Sequence, residues 1–266
     1  VVVDRRRGLL VRLALVTLAV VLAGGGVWLL TATSAPQAGP VTTEIPALQV
    51  QPAPVQPGAV APQPVAETIP QATAGVDPLI AWANQVSAAT GIPARALRSY
   101  GNAELVLRST TPACRLSWAT LAGIGRIESN HGQFAGAQLG ADGRPSKPII
   151  GVPLDGSVGV QHISDTDGGR YDGDATLDRA VGPMQFIPST WARWASDGNG
   201  DGRGDPQQID DAALAAARYL CVGGRDMGSP SGWWAGVLSY NNSVPYGQKV
   251  FGLADSYAKQ SQSRSR

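Results

Sequence analysis

Ten prolines fall between residues 35 and 78, among Ala, Gln, Val and Thr, with no aromatic residue and almost no charge. Proline fixes φ and removes a backbone donor, and so few large apolar side chains cannot make a core. Residues 34–75 are therefore expected to be a disordered, semi-extended linker. One globular domain is expected behind it over 76–260, followed by a short flexible tail over 261–266.

Ahead of the linker, Arg5, Arg6, Arg7 and Arg12 precede a mostly apolar run, LALVTLAVVLAGGGVWLLTA, over residues 13–32. No Lys or Arg follows until Arg95. A basic flank before a run of roughly 20 apolar residues predicts a signal anchor or a signal peptide over 1–33, basic side inward. The remainder is then exported, and the membrane is a partner through that segment. The net charge of +1 offers no reason to expect nucleic acid. Cys114 and Cys221 are the two cysteines, and an exported chain can join them. A bridge closing so long a loop stabilises by about 4–5 kcal/mol in the chain-entropy model.

Within 76–260 the pattern is mostly helical. DPLIAWANQVSAAT starts one helix, and Pro93 opens the next in a favoured first-turn position. Ser117 caps WATLAGIGRIES, and further helices follow in IPSTWARWAS, IDDAALAAARYLC, GWWAGVLSYNN and VPYGQKVFGLADSYAK. A Gly/Asp-rich loop fills about 136–180, with GVPLDGSVGV as its best short hairpin. The expected class is a single, mainly α domain.

Glutamate is scarce: Glu44, Glu67, Glu104 and Glu128 stand against sixteen aspartates. The first two fall in the linker. Glu104 has Arg108 four residues on, which predicts a helix-surface pair. Glu128 shares a helix face with Leu121 and Ile124, beside apolar neighbours and in the last turn, where the helix dipole disfavours negative charge. Both effects favour the protonated acid, as a proton donor near neutral pH requires. Gly125, one turn back, is expected to leave room beside it. The spacing alone equally allows a glutamate bonded to a nearby backbone amide.

The segments GRIESNHG, AVGPMQFIPSTW, AARYLC and LSYNNSVPY, in that order over roughly 112–258, resemble lytic transglycosylases of the family that includes membrane-bound murein transglycosylase B. That resemblance implies a lysozyme-like α+β fold and peptidoglycan glycan strands as substrate. Glu128 matches the family's single catalytic acid. Ser129, Gln185, Phe186, Tyr219, Tyr240, Asn241 and Tyr246 match residues of the substrate cleft, and Thr176 falls where relatives can carry a serine. Pro183 and Met184 depart from the Tyr-Gly of the parent type. The implied activity cleaves the MurNAc–GlcNAc bond to give 1,6-anhydromuramyl ends, in the bacterial cell envelope and with no cofactor needed for catalysis. A water-using muramidase and a non-catalytic peptidoglycan-binding domain are the alternatives.

Two acidic loops complete the inventory. SDGNGDGRGDPQQIDD resembles half an EF-hand, with Asp197, Asn199, Asp201, the Arg203 carbonyl and Asp205 at calcium-ligand positions. Gln208 replaces the bidentate acid at position 12, with Asp210 or Asp211 as substitutes, the latter reading better as a helix cap. The loop reads either as a structural calcium site or as a metal-free Asp/Gly turn. In SDTDGGRYDGDATLD, Asp165, Asp167, Asp172 and Asp174 read as turn formers and N-caps, one of which serves as second carboxylate in the muramidase alternative.

Overall fold

The computed structural model describes residues 50–62 and 77–263. Seven α-helices and one two-stranded sheet occur among the described residues, in chain order α1 Pro78–Thr90, α2 Ala94–Thr110, α3 Trp118–Ser129, β1 Ile150–Pro153, β2 Arg179–Val181, α4 Pro188–Trp194, α5 Ile209–Leu220, α6 Pro230–Tyr240 and α7 Val244–Ser263. The architecture is mainly α, as expected of a lysozyme-like domain. No described helix is long and apolar enough to cross a membrane. The apolar run at 13–32 lies outside the described residues.

The core forms around α3. Ser117 caps its start, the hydroxyl accepting from the Ala119 amide at 3.0 Å. Every residue of α3 except Arg126 is buried, so the helix is apolar all round, as a central helix must be. It packs against α7, α2 and α5, while α1 covers α2 and α7. The Cys114–Cys221 disulfide, Cα–Cα 5.5 Å, ties the α2–α3 connection to the end of α5.

Three expectations are corrected. The Pro-rich stretch is not unpacked throughout: residues 50–62 lie along α6 and α7. Ala53 N–H donates to the Gln248 carbonyl at 3.2 Å, and Gln248 Nε2 donates to the Val55 carbonyl at 2.7 Å. The Trp234 indole donates to the Ala59 carbonyl at 3.2 Å, and Ala61 is buried. A proline-rich chain keeps its carbonyls free to accept, and the Trp233–Trp234–Phe251 aromatic cluster offers the surface on which it lies. Second, residues 261–263 of the expected tail belong to α7, and Ser261 is buried; residues 264–266 lie outside the described residues. Third, the local hairpin at GVPLDGSVGV is replaced by a long-range pair. β1 pairs antiparallel with β2, Ile150 opposite Val181, and only the isolated Asp155–His162 bridge retains the local turn.

Candidate active site

The end of α3 is fixed by an unusual run of backbone. Asn130, His131 and Gly132 are all left-handed, with φ of 53°, 60° and 82°. Ser129 makes this turn possible: its hydroxyl accepts from Gly132 N–H at 2.7 Å and donates to the Pro183 carbonyl at 2.6 Å. The serine therefore joins the helix end to the turn at 182–185. It is fully buried and takes no place in the cleft, which corrects its expected role as a substrate contact.

Glu128, 5% exposed, lines a cavity of about 260 Å³. Gln185, Phe186, Tyr219 and Tyr240 line it with Glu128, so the structure gathers these expected residues at one place. Tyr246 approaches from α7 and donates its phenol to Glu128 Oε1 at 2.6 Å. It is itself buried and acts on the carboxyl from behind the cavity wall. Tyr240 donates to the Met184 carbonyl at 2.7 Å, and Tyr219 to the Ser239 carbonyl at 2.6 Å. Burial first, then the nearby Glu128 charge, pushes the Tyr240 phenol far above its ordinary value. It therefore stays a neutral donor. Edge-on contacts run from Trp194 to Tyr219 to Tyr240, at 5.8 and 5.7 Å between ring centroids, and stiffen this wall.

Gln185 reaches the cavity because the chain reverses sharply before it. Val181 pairs with Phe186 across a turn in which Gln185 adopts φ 49° and its side-chain amide donates to the Gly182 carbonyl at 3.0 Å. Glycine is required at 182: φ is +79°, and a Cβ would stand 1.7 Å from the Pro206 carbonyl oxygen.

Two other expected contacts stay outside the cavity. Thr176 is exposed on the acidic loop, its N–H donating to Asp174. Asn241 caps the end of α6 and is 1% exposed, its Oδ1 buried without a hydrogen-bond partner among the described residues. Gly125 does not leave free space beside the acid. A Cβ there would lie 2.1 Å from the Tyr100 hydroxyl, so the room is taken by a buried phenol.

The cavity also includes residues that sequence reasoning missed: Gln161, Ile163, Ile187, Ser189, Thr190 and Ser239. Ser189 and Thr190 sit in the IPSTW segment, whose first helical turn follows directly from the Gln185 reversal. Gln161 and Ile163 come from the stretch between β1 and the 164–178 acidic loop, and no local pattern pointed to them.

Neither acidic loop contributes to the cavity. Asp165, Asp172 and Asp174 accept from amides of their own loop, as expected of turn formers. In the EF-hand-like loop, Asp197 accepts from the amides of Gly200, Asp201 and Gly202, and Asp205 pairs with Arg144. Gln208 caps α5 and donates to the Asp142 carbonyl at 3.1 Å, away from the loop. The closing acid is Asp211, fully buried, which accepts from Gly198, Asn199 and Asp205 amides. Asp210 instead pairs with Arg95. Among the described residues, only Asp165, Asp167 and Asp178 bring three acidic, His or Cys ligand atoms within 4.8 Å of one another.

Two other titratable groups flank α3. Glu104 makes the expected pair with Arg108 and also accepts from the Trp118 amide at 2.7 Å, capping the helix start. Burial pushes its carboxyl up, against the pull of that amide and of Arg108. His131, just past the helix end, is buried, and its Nδ1 lies 3.2 Å from the Tyr100 hydroxyl. Burial and then Arg126 lower it to about 3.

Residues 175–237 match the family model described as the Transglycosylase SLT domain. The matched stretch supplies Gln185, Phe186, Ile187, Ser189, Thr190 and Tyr219 to the cavity; Glu128 lies before it, and Tyr240 and Tyr246 after it. No curated protein and no solved structure matches the chain.

Proposed function

We propose that the protein is a peptidoglycan lytic transglycosylase that cleaves the β-1,4 bond between N-acetylmuramic acid and N-acetylglucosamine with Glu128 as both acid and base. The Transglycosylase SLT domain match supports a transglycosylase acting on peptidoglycan. The observation that carries the finer reading is that Glu128 is the one carboxylate among the described residues lining the cavity. A hydrolytic glycosidase needs a second carboxylate to activate water or to attack the sugar.

In the first step the Glu128 carboxyl gives its proton to the glycosidic oxygen. The C1–O bond breaks, and the N-acetylglucosamine unit leaves with that proton. The positive charge left on the muramic acid ring faces the newly formed carboxylate. In the second step the carboxylate takes the proton of the C6 hydroxyl as that oxygen bonds C1. The acid is regenerated, a 1,6-anhydro ring closes, and no water is consumed.

Tyr246 serves both steps by holding Oε1, which fixes the carboxyl plane and supports the anion formed between them. Tyr240 and Tyr219 already donate to backbone carbonyls, so their ring faces and edges, and the Gln185 and Gln161 amides, are what the sugar meets.

Digestion of purified murein with analysis of the products by mass tests the reading. Muropeptides lighter by one water than their reducing-end counterparts support it. Reducing muramic ends would make the protein a muramidase, and intact sacculi a binding domain.

The same reading puts the domain outside the cytoplasmic membrane, held there by the 1–33 segment or released from it. The Cys114–Cys221 bond supports an oxidising compartment. Structural calcium at Asp197–Asp205 is a separate proposal, supported by the spacing of Asp197, Asn199, Asp201 and Asp205. A melting temperature lowered by EGTA supports it, and one unmoved by both EGTA and added calcium rejects it.

A further inference from the structure

A second concavity has as part of its floor Pro206, on which the turn at Gly182 packs. It is a groove of about 470 Å³, lined by Arg144, Arg170, Tyr171 and Arg203 over a floor of Pro206 and Gln207, with Asp201 and Asp205 at its side. Gly182 packs directly on Pro206, and three residues later Gln185 lines the catalytic cavity. The Gln207 side chain bonds the Ile149 backbone at both ends, with 2.9 Å to its N–H and 2.9 Å to its carbonyl, so the floor is held to the same strand pair.

The charges in this groove are unevenly matched. Asp205 is taken by Arg144. Asp201 is taken by the Asn199 side-chain amide at 3.0 Å and the Arg203 backbone amide at 2.9 Å. The guanidinium groups of Arg170 and Arg203 have no ion-pair partner among the described residues. Arg170 lies over the Tyr171 ring at 5.0 Å, which orients a group that would otherwise sweep freely through solvent. Three guanidiniums stand against two carboxylates here, with the Asp201 charge shared between Arg144 and Arg203, and the excess positive charge beside an aromatic face suits an incoming carboxylate.

We propose that this groove receives a carboxylate of the peptide stem carried by the muramic acid whose sugar sits beside Glu128. The proposal rests on the function proposed above, because only a peptidoglycan strand brings stems to this cleft. The glycan backbone near the cut bond is uncharged, whereas each stem is acidic and extends by about 3.5 Å per residue. A groove on the other side of one chain reversal is within reach of its first residues. The arginines then select strands that still carry stems over strands that have lost them.

The test compares two substrates prepared from the same murein: strands with stems intact, and strands stripped by an amidase. The variant is the double substitution Arg170→Gln, Arg203→Gln, whose side chains are exposed and hold no ion pair among the described residues, so the fold is retained. The expected result is a KM on intact strands raised about five- to tenfold in the variant, as for two exposed charge-assisted contacts. kcat stays the same, and the rate on stripped strands is unchanged. Added salt raises the KM of the wild type on intact strands and moves that of the variant much less. A variant that matches wild type on intact strands, or loses equally on both substrates, overturns the groove assignment while the glycan reaction stands. A wild-type protein that releases no anhydromuramyl product from either substrate overturns the function itself.

Discussion

Helix α3 has a glutamate at each end, and the two differ in almost everything except chemistry. Glu104 comes from α2 to the start of α3, where it accepts the Trp118 amide and pairs with Arg108. Glu128 leaves the last turn of α3 beside a phenol, at the wall of a cavity. At the start of a helix the exposed amides and the dipole favour a carboxylate; at the end they oppose one. Glu104 is thus held by donors as a fixed, paired group. Glu128 takes a phenol donor on one oxygen and lines the cavity. A buried acid becomes chemical through the end of the helix that it occupies, more than through burial itself.

The sharpest way to break this contrast is Glu128→Gln. It keeps the size and the hydrogen-bonding capacity of the side chain and removes the proton. Turnover should fall about a thousandfold or more, since the same group acts in both steps. The melting temperature should stay close to that of wild type. Anhydromuramyl release at a wild-type rate would reject the assignment of the acid.

Tyr246→Phe removes the donor behind the acid. Loss of one hydrogen bond to a charged group costs about 1.5–3 kcal/mol, or roughly ten- to a hundredfold in kcat. KM should barely move, because Tyr246 does not line the cavity. A change confined to KM would place the phenol in substrate binding and contradict the positioning role.

How much of this was legible before the fold was known follows from the range of each signal. The seven helices came from the apolar period and from caps such as Ser117 and Pro93, all of them local. Glu128, Gln185, Tyr219 and Tyr240 were legible because each sits in a short segment whose composition is distinctive. Ser129 was legible as a residue of that segment but not as to its direction. It points into the Pro183 turn because the left-handed run at 130–132 needs its hydroxyl, and that depends on a contact 54 residues away. Gln161 arrives through the β1–β2 pairing, which no local alternation encoded. Residues 50–62 looked unable to pack because they bring almost no apolar bulk. What they lack is supplied by the aromatic face of Trp234 and Phe251, and composition cannot show a partner's surface.

A third measurement sharpens the comparison through pH. His131 stands beyond the same end of α3, neutral and buried, its value lowered to about 3 from an ordinary 6.5. Between those two values the unfolded chain binds a proton that the folded chain refuses. Stability is therefore full above about 6.5 and falls as the pH drops toward 3, by about 1.4 kcal/mol per pH unit from this group. Urea denaturation from pH 7.5 down to pH 5 measures the slope, and His131→Gln should flatten it. An unchanged slope in that variant would assign the acid sensitivity to the carboxylates instead.

The smallest effect is the decisive control. Glu104→Gln makes the same chemical change at the other end of the helix. The amide oxygen of glutamine still accepts from the Trp118 N–H, so the helix start remains capped. What is lost is the pair with Arg108, whose guanidinium is half in solvent. An exposed i,i+4 pair contributes about 0.3–0.5 kcal/mol. The neutral side chain also relieves the burial that pushes the Glu104 carboxyl up, which offsets part of that loss. Unfolding free energy should therefore change by less than about 1 kcal/mol, and turnover should not change at all. Turnover lost at this end with the fold intact would mean that the two glutamates act together, and the single-acid mechanism would have to give way to a paired one.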